Sequence, residues 1–304
     1  MLHSSRFGAL LTIGASALLA CSACRAWADP SDPWLDGVKV FAPGSYGGFG
    51  SAQLPGIVLG PPWGGGMIQQ SVDVVSLGNG GSITVVFRDN VVVDGPGDDL
   101  VIYENAFHAG SETGPIFAEY GTVELSPDGK TWTQVPYDPE TGDGLAGAEP
   151  VLSTPENGID ALAAEGGGDR FDIGAVGLAF VRFVRISDGG DQIPDPGNLV
   201  PPANKGGFDL DAMGAVHSSA PGVVHGTVTS AGIPVADARV TLIPNDGTRR
   251  LHRRTRADGT FRFRPVLPSG TVTVRARRAD LGHGETPASV TLESLEAEAS
   301  LEIR

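Results

Sequence analysis

Only two of the 304 residues are cysteine, Cys21 and Cys24, and both fall within the first 28 positions. Any fold formed by the remainder must be held without disulfides, by its own core or with the help of a metal. Aromatic residues are scarce, at 7 %. No apolar run reaches the roughly 20 residues needed to cross a bilayer as a helix. Nor is there a convincing long amphipathic helix. The five histidines beyond His3 form no HExxH or HxxE spacing, which argues against a zinc peptidase. No G-x-S-x-G elbow is present, and no Gly-rich loop leads into a helix with Lys, so hydrolase and phosphate-cradling chemistry have no support.

What is present begins with an export signal. Arg6 precedes the apolar run Phe7 to Ala20 (FGALLTIGASALLA), about the length of a signal-peptide core. Two cleavage routes stay open. Ala26-Trp27-Ala28 before Asp29 fits ordinary signal peptidase, whereas Leu18-Leu19-Ala20-Cys21 resembles a bacterial lipobox, which would make Cys21 the lipidated first residue. The protein is therefore expected to be exported: secreted, periplasmic or on the outer surface, either free or tethered by lipid.

Charge divides the rest. Residues 29–219 hold 7 Lys/Arg against 27 Asp/Glu, a net −20, and residues 220–304 hold 12 Arg against 9 acids, a net +3. A boundary near 220 is expected, between an acidic domain (29–219) and a mildly basic one (220–304). Phosphates would be repelled by the acidic domain, so nucleic acid is not an expected partner. The arginines of the second domain read as a solvated strand face, or as contacts to an anionic surface or to the acidic neighbour.

The 44 Gly and 23 Pro show no collagen period and punctuate short apolar runs. Expected strands are Val38–Phe41, Val72–Leu77, Ile83–Phe87, Leu100–Tyr103, Thr122–Leu125, Thr131–Val135, Phe180–Ile186 and Met213–His217. Pro127-Asp128-Gly129 reads as a hairpin turn, and Asp160–Glu165 as one helical turn. Residues 141–168 and 188–207 read as surface loops. After the linker at 217–222, apolar and polar residues alternate with period two over about seven short strands, with hairpins expected at Asp258-Gly259 and Pro268-Ser269-Gly270. The fold class is all-β, two β-sandwich domains.

The segment Asp94 to Asn105 (DGPGDDLVIYEN) places Asp94, Asp98 and Asp99 on a bent loop and Glu104 and Asn105 at the end of an apolar strand. Hard oxygen donors grouped on a turn suit Ca²⁺, since close carboxylates otherwise repel one another. A solvated acidic turn is the competing account. Asp209 and Asp211, two apart on an expected last strand and so on one face, are candidate far-side ligands, or simply solvent-facing acids. Asp169–Asp172 and Asp188–Asp191 read as turn aspartates. Trp63 is a candidate sugar-stacking platform or a loop anchor, and Trp132 reads as core.

Gly226-Thr227-Val228, Gly232-Ile233-Pro234-Val235 before Ala238-Arg239-Val240, Ala257-Asp258-Gly259-Thr260-Phe261 and Leu267-Pro268-Ser269-Gly270 together resemble a carboxypeptidase regulatory-like domain. That resemblance implies a small transthyretin-like sandwich over Val223 to about Arg304 without catalytic residues. The segments at 58–66, 76–87, 92–107, 166–178 and 207–217 more loosely resemble bacterial cell-surface proteins with a calcium-binding, galactose-binding-like jelly-roll. It implies a calcium ion stapling an early loop to the last strand. The expectation is an exported, non-enzymatic, calcium-stabilised module that binds a glycan or a protein. The alternatives are a carbohydrate-active enzyme using carboxylates beside Trp63, and a purely structural envelope component.

Overall fold

The computed structural model describes residues 32–64, 71–193, 195, 207–244, 250–266, 270–292 and 294–304. The expected signal, Cys21 and the turn residues Pro268 and Ser269 lie outside them. No helix among the described residues is long and apolar enough to cross a membrane. The chain is all-β, as its alternation predicts, and among the described residues its two largest hydrophobic clusters share no residue. One runs from Leu35 to Ala215, the other from Val224 to Ile303.

The acidic part contains a five-stranded antiparallel sheet in the order Gly37–Ala42, Ser82–Val86, Phe183–Asp188, Gly121–Ser126, Thr133–Gln134. A second sheet centres Leu100–Tyr103 between Asp169–Phe171 and Ala212–Ala215. Four consecutive apolar residues make sense there, because the strand is covered on both faces. Leu100 and Ile102 enter the main core, while Val101 and Tyr103 pack with Val151, Ala161 and Ala212. Smaller pairings join Val91–Val93 to Phe180–Val181 and Ser218–Ser219, and Val75–Ser76 to Asp209–Leu210.

Several expectations are corrected here. The run Phe180–Ile186 is two strands in different sheets, parted at Arg182, whose N–H donates to the Ser126 carbonyl. Apolar patterning does not report a change of partner. Val72–Leu77 keeps only Val75–Ser76, with Val72 exposed. Residues Asp169–Phe171 form a strand rather than a turn, and Asp169 is buried. The expected loop 141–168 buries Leu145, Ala146 and Val151, and is tied down by bridges from Ala146 to Gly121 and Val151 to Gly167. The expected helical turn appears as the 3-10 turn Ala164–Gly166. Trp132 is half-buried, not core, and is covered by the Arg185 guanidinium 3.9 Å from its ring centroid.

The Pro127–Gly129 hairpin is formed. Asp128 accepts hydrogen bonds from the Lys130 and Thr131 N–H groups, and Gly129 has the left-handed φ of 73° the turn needs.

The C-terminal part faces one sheet against another. Gly222–Ser230 pairs antiparallel with Thr260–Val266 and Ile233–Pro234, and parallel with Glu296–Glu298 and Leu301–Glu302. The other sheet runs Leu251–Arg254, Arg239–Pro244, Gly270–Arg278, Gly282–Val290. Among the described residues there are nine strands rather than seven. Asp258-Gly259 turns the chain between these two sheets and not within a hairpin: Leu251–Arg254 and Thr260–Val266 pair in different sheets.

Candidate metal centre

Three strands bring three carboxylates to one place. Glu104 follows Leu100–Tyr103, Glu119 precedes Gly121–Ser126, and Asp209 opens Asp209–Leu210. One carboxylate oxygen from each lies within 4.8 Å of the other two. Glu104 is 2 % exposed and Glu119 5 %. The apolar strand that carries Glu104 inward, and the buried Ala118 and Tyr120 that flank Glu119, leave both acids no route to solvent.

Buried carboxylates resist ionisation, the more so beside one another. Burial, then Asp209 and Glu119, hold the Glu104 carboxyl well above its usual range. Burial, then Asp209 and Asp195, push Glu119 up to about 8, against a lowering hydrogen bond from the Gly207 N–H at 2.9 Å. Burial also raises Asp209, against hydrogen bonds from Ser76 and Asn105.

Protein donors do not exhaust the cluster. Glu104 Oε1 accepts a long bond from the Asp209 N–H, 3.4 Å, and the Asn105 N–H also favours the Glu104 carboxylate. Glu104 Oε2 and Asp209 Oδ1 are buried with no hydrogen-bond partner among the described residues. An orphaned buried oxygen is costly unless it is protonated or meets a cation. Three carboxylates converging with free oxygens fit a hard divalent cation such as Ca²⁺. Gly147 permits the packing. At φ 92° a Cβ there would stand 2.1 Å from the Glu119 carbonyl and 3.3 Å from Glu104 Cγ. Its N–H is held at 2.6 Å by Asp169, which also accepts the Ala148 and Glu149 N–H groups. Burial raises Asp169 to about 7 despite those three bonds.

The seven residues expected to form one site are thus distributed. Glu104 and Asp209 meet, joined by Glu119. Asn105 stands beside them, accepting the Ser71 N–H and bonding Asp209. Asp94 and Asp99 form a second group with Asp172, again within 4.8 Å. Asp94 and Asp172 are exposed there, and Asp99 is already supplied: Oδ1 takes the Gly95 N–H at 2.7 Å and meets His217 Nδ1 at 2.8 Å, and Oδ2 takes the Ile173 N–H at 3.0 Å. Asp98 is exposed and belongs to neither group.

Asp211 does not share a site with Asp209, because the chain changes strand partner between them. Asp209 pairs with Ser76 and Ala212 with Tyr103. Asp211 instead accepts the Trp63 N–H with both oxygens, at 3.0 and 3.1 Å, and burial lifts its carboxyl to about 8. Trp63 is anchored by its backbone while its side chain stays 57 % exposed. Glu119 is the residue that sequence reading misses. In FAEYG it has no acidic neighbour, and only its position between two buried residues hints that it points inward.

Residues 223–302 match the family model of the carboxypeptidase regulatory-like domain, as the four landmarks imply. The N-terminal resemblance to calcium-binding jelly-rolls has no counterpart in these findings. No curated protein matches the chain. Among solved structures, the chain is similar to BcpA, the major pilin subunit of Bacillus cereus, with 12 % identity and a TM-score of 0.25 over 75 % of this chain and 65 % of that one. It is also similar to the pilus adhesin RrgA from Streptococcus pneumoniae, with 10 % identity and a TM-score of 0.19 over 72 % and 33 %. The chain covers less than two thirds of either protein.

Proposed function

We propose that this is an exported, non-enzymatic envelope protein whose acidic part is a calcium-stabilised binding module. The carboxypeptidase regulatory-like domain follows it as a spacer. The observation that carries the reading is the cluster of buried Glu104 and Glu119 with half-buried Asp209, in which two buried oxygens have no partner among the described residues. Three acids crowded together, two of them buried, destabilise the fold when ionised, and a divalent cation turns the same repulsion into a cross-link. Glu104, Glu119 and Asp209 would hold the ion, with Asn105 as an oriented neighbour.

The ligand surface we assign to this module is centred on Trp63. An indole held out by its backbone, on a carboxylate that is itself buried, suits stacking against the apolar face of a sugar.

The test is a thermal melt of the full chain with millimolar Ca²⁺ and with EDTA. At about 100 times Kd, calcium adds about 2.7 kcal/mol, about 5–10 °C for a domain of this size. Glu119→Gln should abolish the shift. An identical melt in both buffers makes the trio a set of protonated core acids and overturns the calcium reading. A glycan array comparing the protein with Trp63→Ala checks the ligand surface. Signals on a glycan class that vanish in the variant support it, and a blank array removes it.

A further inference from the structure

The outward face of the second C-terminal sheet carries an arrangement that alternation alone does not require. In the strand register Arg254 lies opposite Arg239, Arg239 opposite Arg277, and Arg277 opposite His283. Val240 and Ala276, next in sequence, point into the core, so these four side chains share the solvent face. Neighbouring strands lie about 4.8 Å apart, which makes a row about 14 Å long crossing all four strands. Like charges directly opposite one another destabilise a sheet.

The next row shows how the same sheet neutralises itself. There Arg275 bonds Glu285 at 2.8 and 3.0 Å, and Thr241 bonds His252 at 3.1 Å. In the arginine row, among the described residues, only Arg254 has an anion, Asp237 at 2.8 Å. The side chains of Arg239 and Arg277 make no hydrogen bond or ion pair among the described residues. Both line a surface cavity of about 410 Å³ with Arg254, Arg278, Asp237 and Asp280. Four cations against two anions leave it +2.

We propose that this row binds a linear anionic polysaccharide, laid across the strands with its carboxylates over Arg239 and Arg277. A polymer with regularly spaced charges matches a row of cations repeated at the strand spacing across the sheet. Single-stranded nucleic acid fits less well, since its affinity draws on aromatic stacking and the outward positions of these strands hold no Phe, Tyr or Trp. The net −20 of the other domain does not forbid binding, because charges farther off than about 8 Å are screened at physiological salt. This site is independent of the calcium reading.

The experiment titrates labelled polygalacturonate with the full chain, in EDTA and at low salt, read by fluorescence anisotropy. Saturable binding is expected, about five- to tenfold weaker in R239A/R277A. The doubly substituted R275A/E285A, which removes a neutral pair from the adjacent row, should stay within about twofold. R239K/R277K, which keeps the charge, should restore much of the affinity and show that loss in the alanine variant is not misfolding. Neutral dextran should not bind. The proposal is overturned if the protein fails to bind polygalacturonate or if R275A/E285A loses as much as R239A/R277A. Equal or tighter binding of a thymidine oligonucleotide or of anionic phospholipid vesicles also overturns it. So would concentration-dependent self-association, lost in R239A/R277A, that accounts for the anisotropy change.

Discussion

The two halves of this chain handle charge in opposite ways. In the acidic part Asp99, Glu104, Glu119, Asp169 and Asp211 are all buried, whereas the only buried polar side chain among the described C-terminal residues is Thr255. Every described carboxylate raised above its usual pKa lies between Asp73 and Asp211. The C-terminal core is Val, Leu, Phe, Ala and Ile on strands as long as nine residues. The acidic part is assembled from strands of two to six. Hydrophobic burial is enough to hold long alternating strands together. The short strands are additionally stitched by carboxylates that accept loop N–H groups, as Asp99 and Asp169 do, so stability there depends on protons and cations as well as on the core.

The contrast is broken most forcefully in the C-terminal core. Phe263 is fully buried and meets Phe261 edge-on at 5.8 Å. Phe263→Ala should cost about 3–5 kcal/mol, lowering the C-terminal melting transition while leaving any calcium response of the other transition in place. A variant that alters both equally would show that the two cores unfold as one.

The next effect is on pH. Glu119 (about 8), Asp211 (about 8), Asp169 (about 7) and Glu104 all have folded pKa values above their unfolded ones. For raised acids the folded state binds more protons, so their contribution is complete below about pH 4 and is lost as pH rises through the folded values. In EDTA the acidic part should therefore melt several degrees lower at pH 8 than at pH 5, a difference of a few kcal/mol, with the C-terminal transition nearly unmoved. Glu119→Gln should flatten that pH dependence. A higher melting point at pH 8 in EDTA would contradict the assignment.

The smallest effect sharpens the comparison from the surface. Arg275→Ala breaks an exposed pair with Glu285 and should change stability by less than about 1 kcal/mol by chemical denaturation. A larger loss would mean that surface charge, and not the aliphatic core, holds the C-terminal sheet.

Legibility in the sequence followed the same divide. Val240, Leu242, Val272, Val274 and Ala276 announce their sheet by strict alternation, and Leu100–Tyr103 is bounded as its apolar run indicates. What eluded sequence reading is partnering. Phe180–Ile186 changes sheet in mid-run, Asp258-Gly259 joins two sheets rather than one hairpin, and Asp209 and Asp211 separate because the strand changes neighbour between them. Turn chemistry and apolar period describe a residue and its near neighbours, and none of these events is local.

The all-β class, the change of character near residue 220 and the family likeness of the C-terminal domain are written in the order of the residues. Each rests on composition or on a period of two, which short-range sterics and burial enforce residue by residue. That Glu104 and Asp209 face Glu119, while Asp98 stays in solvent and Asp99 is bound by backbone, follows from the three-dimensional packing alone. Those three acids sit on or beside strands of three different sheets and meet where those sheets come together. Once there, the loss of water makes their mutual repulsion large enough to matter.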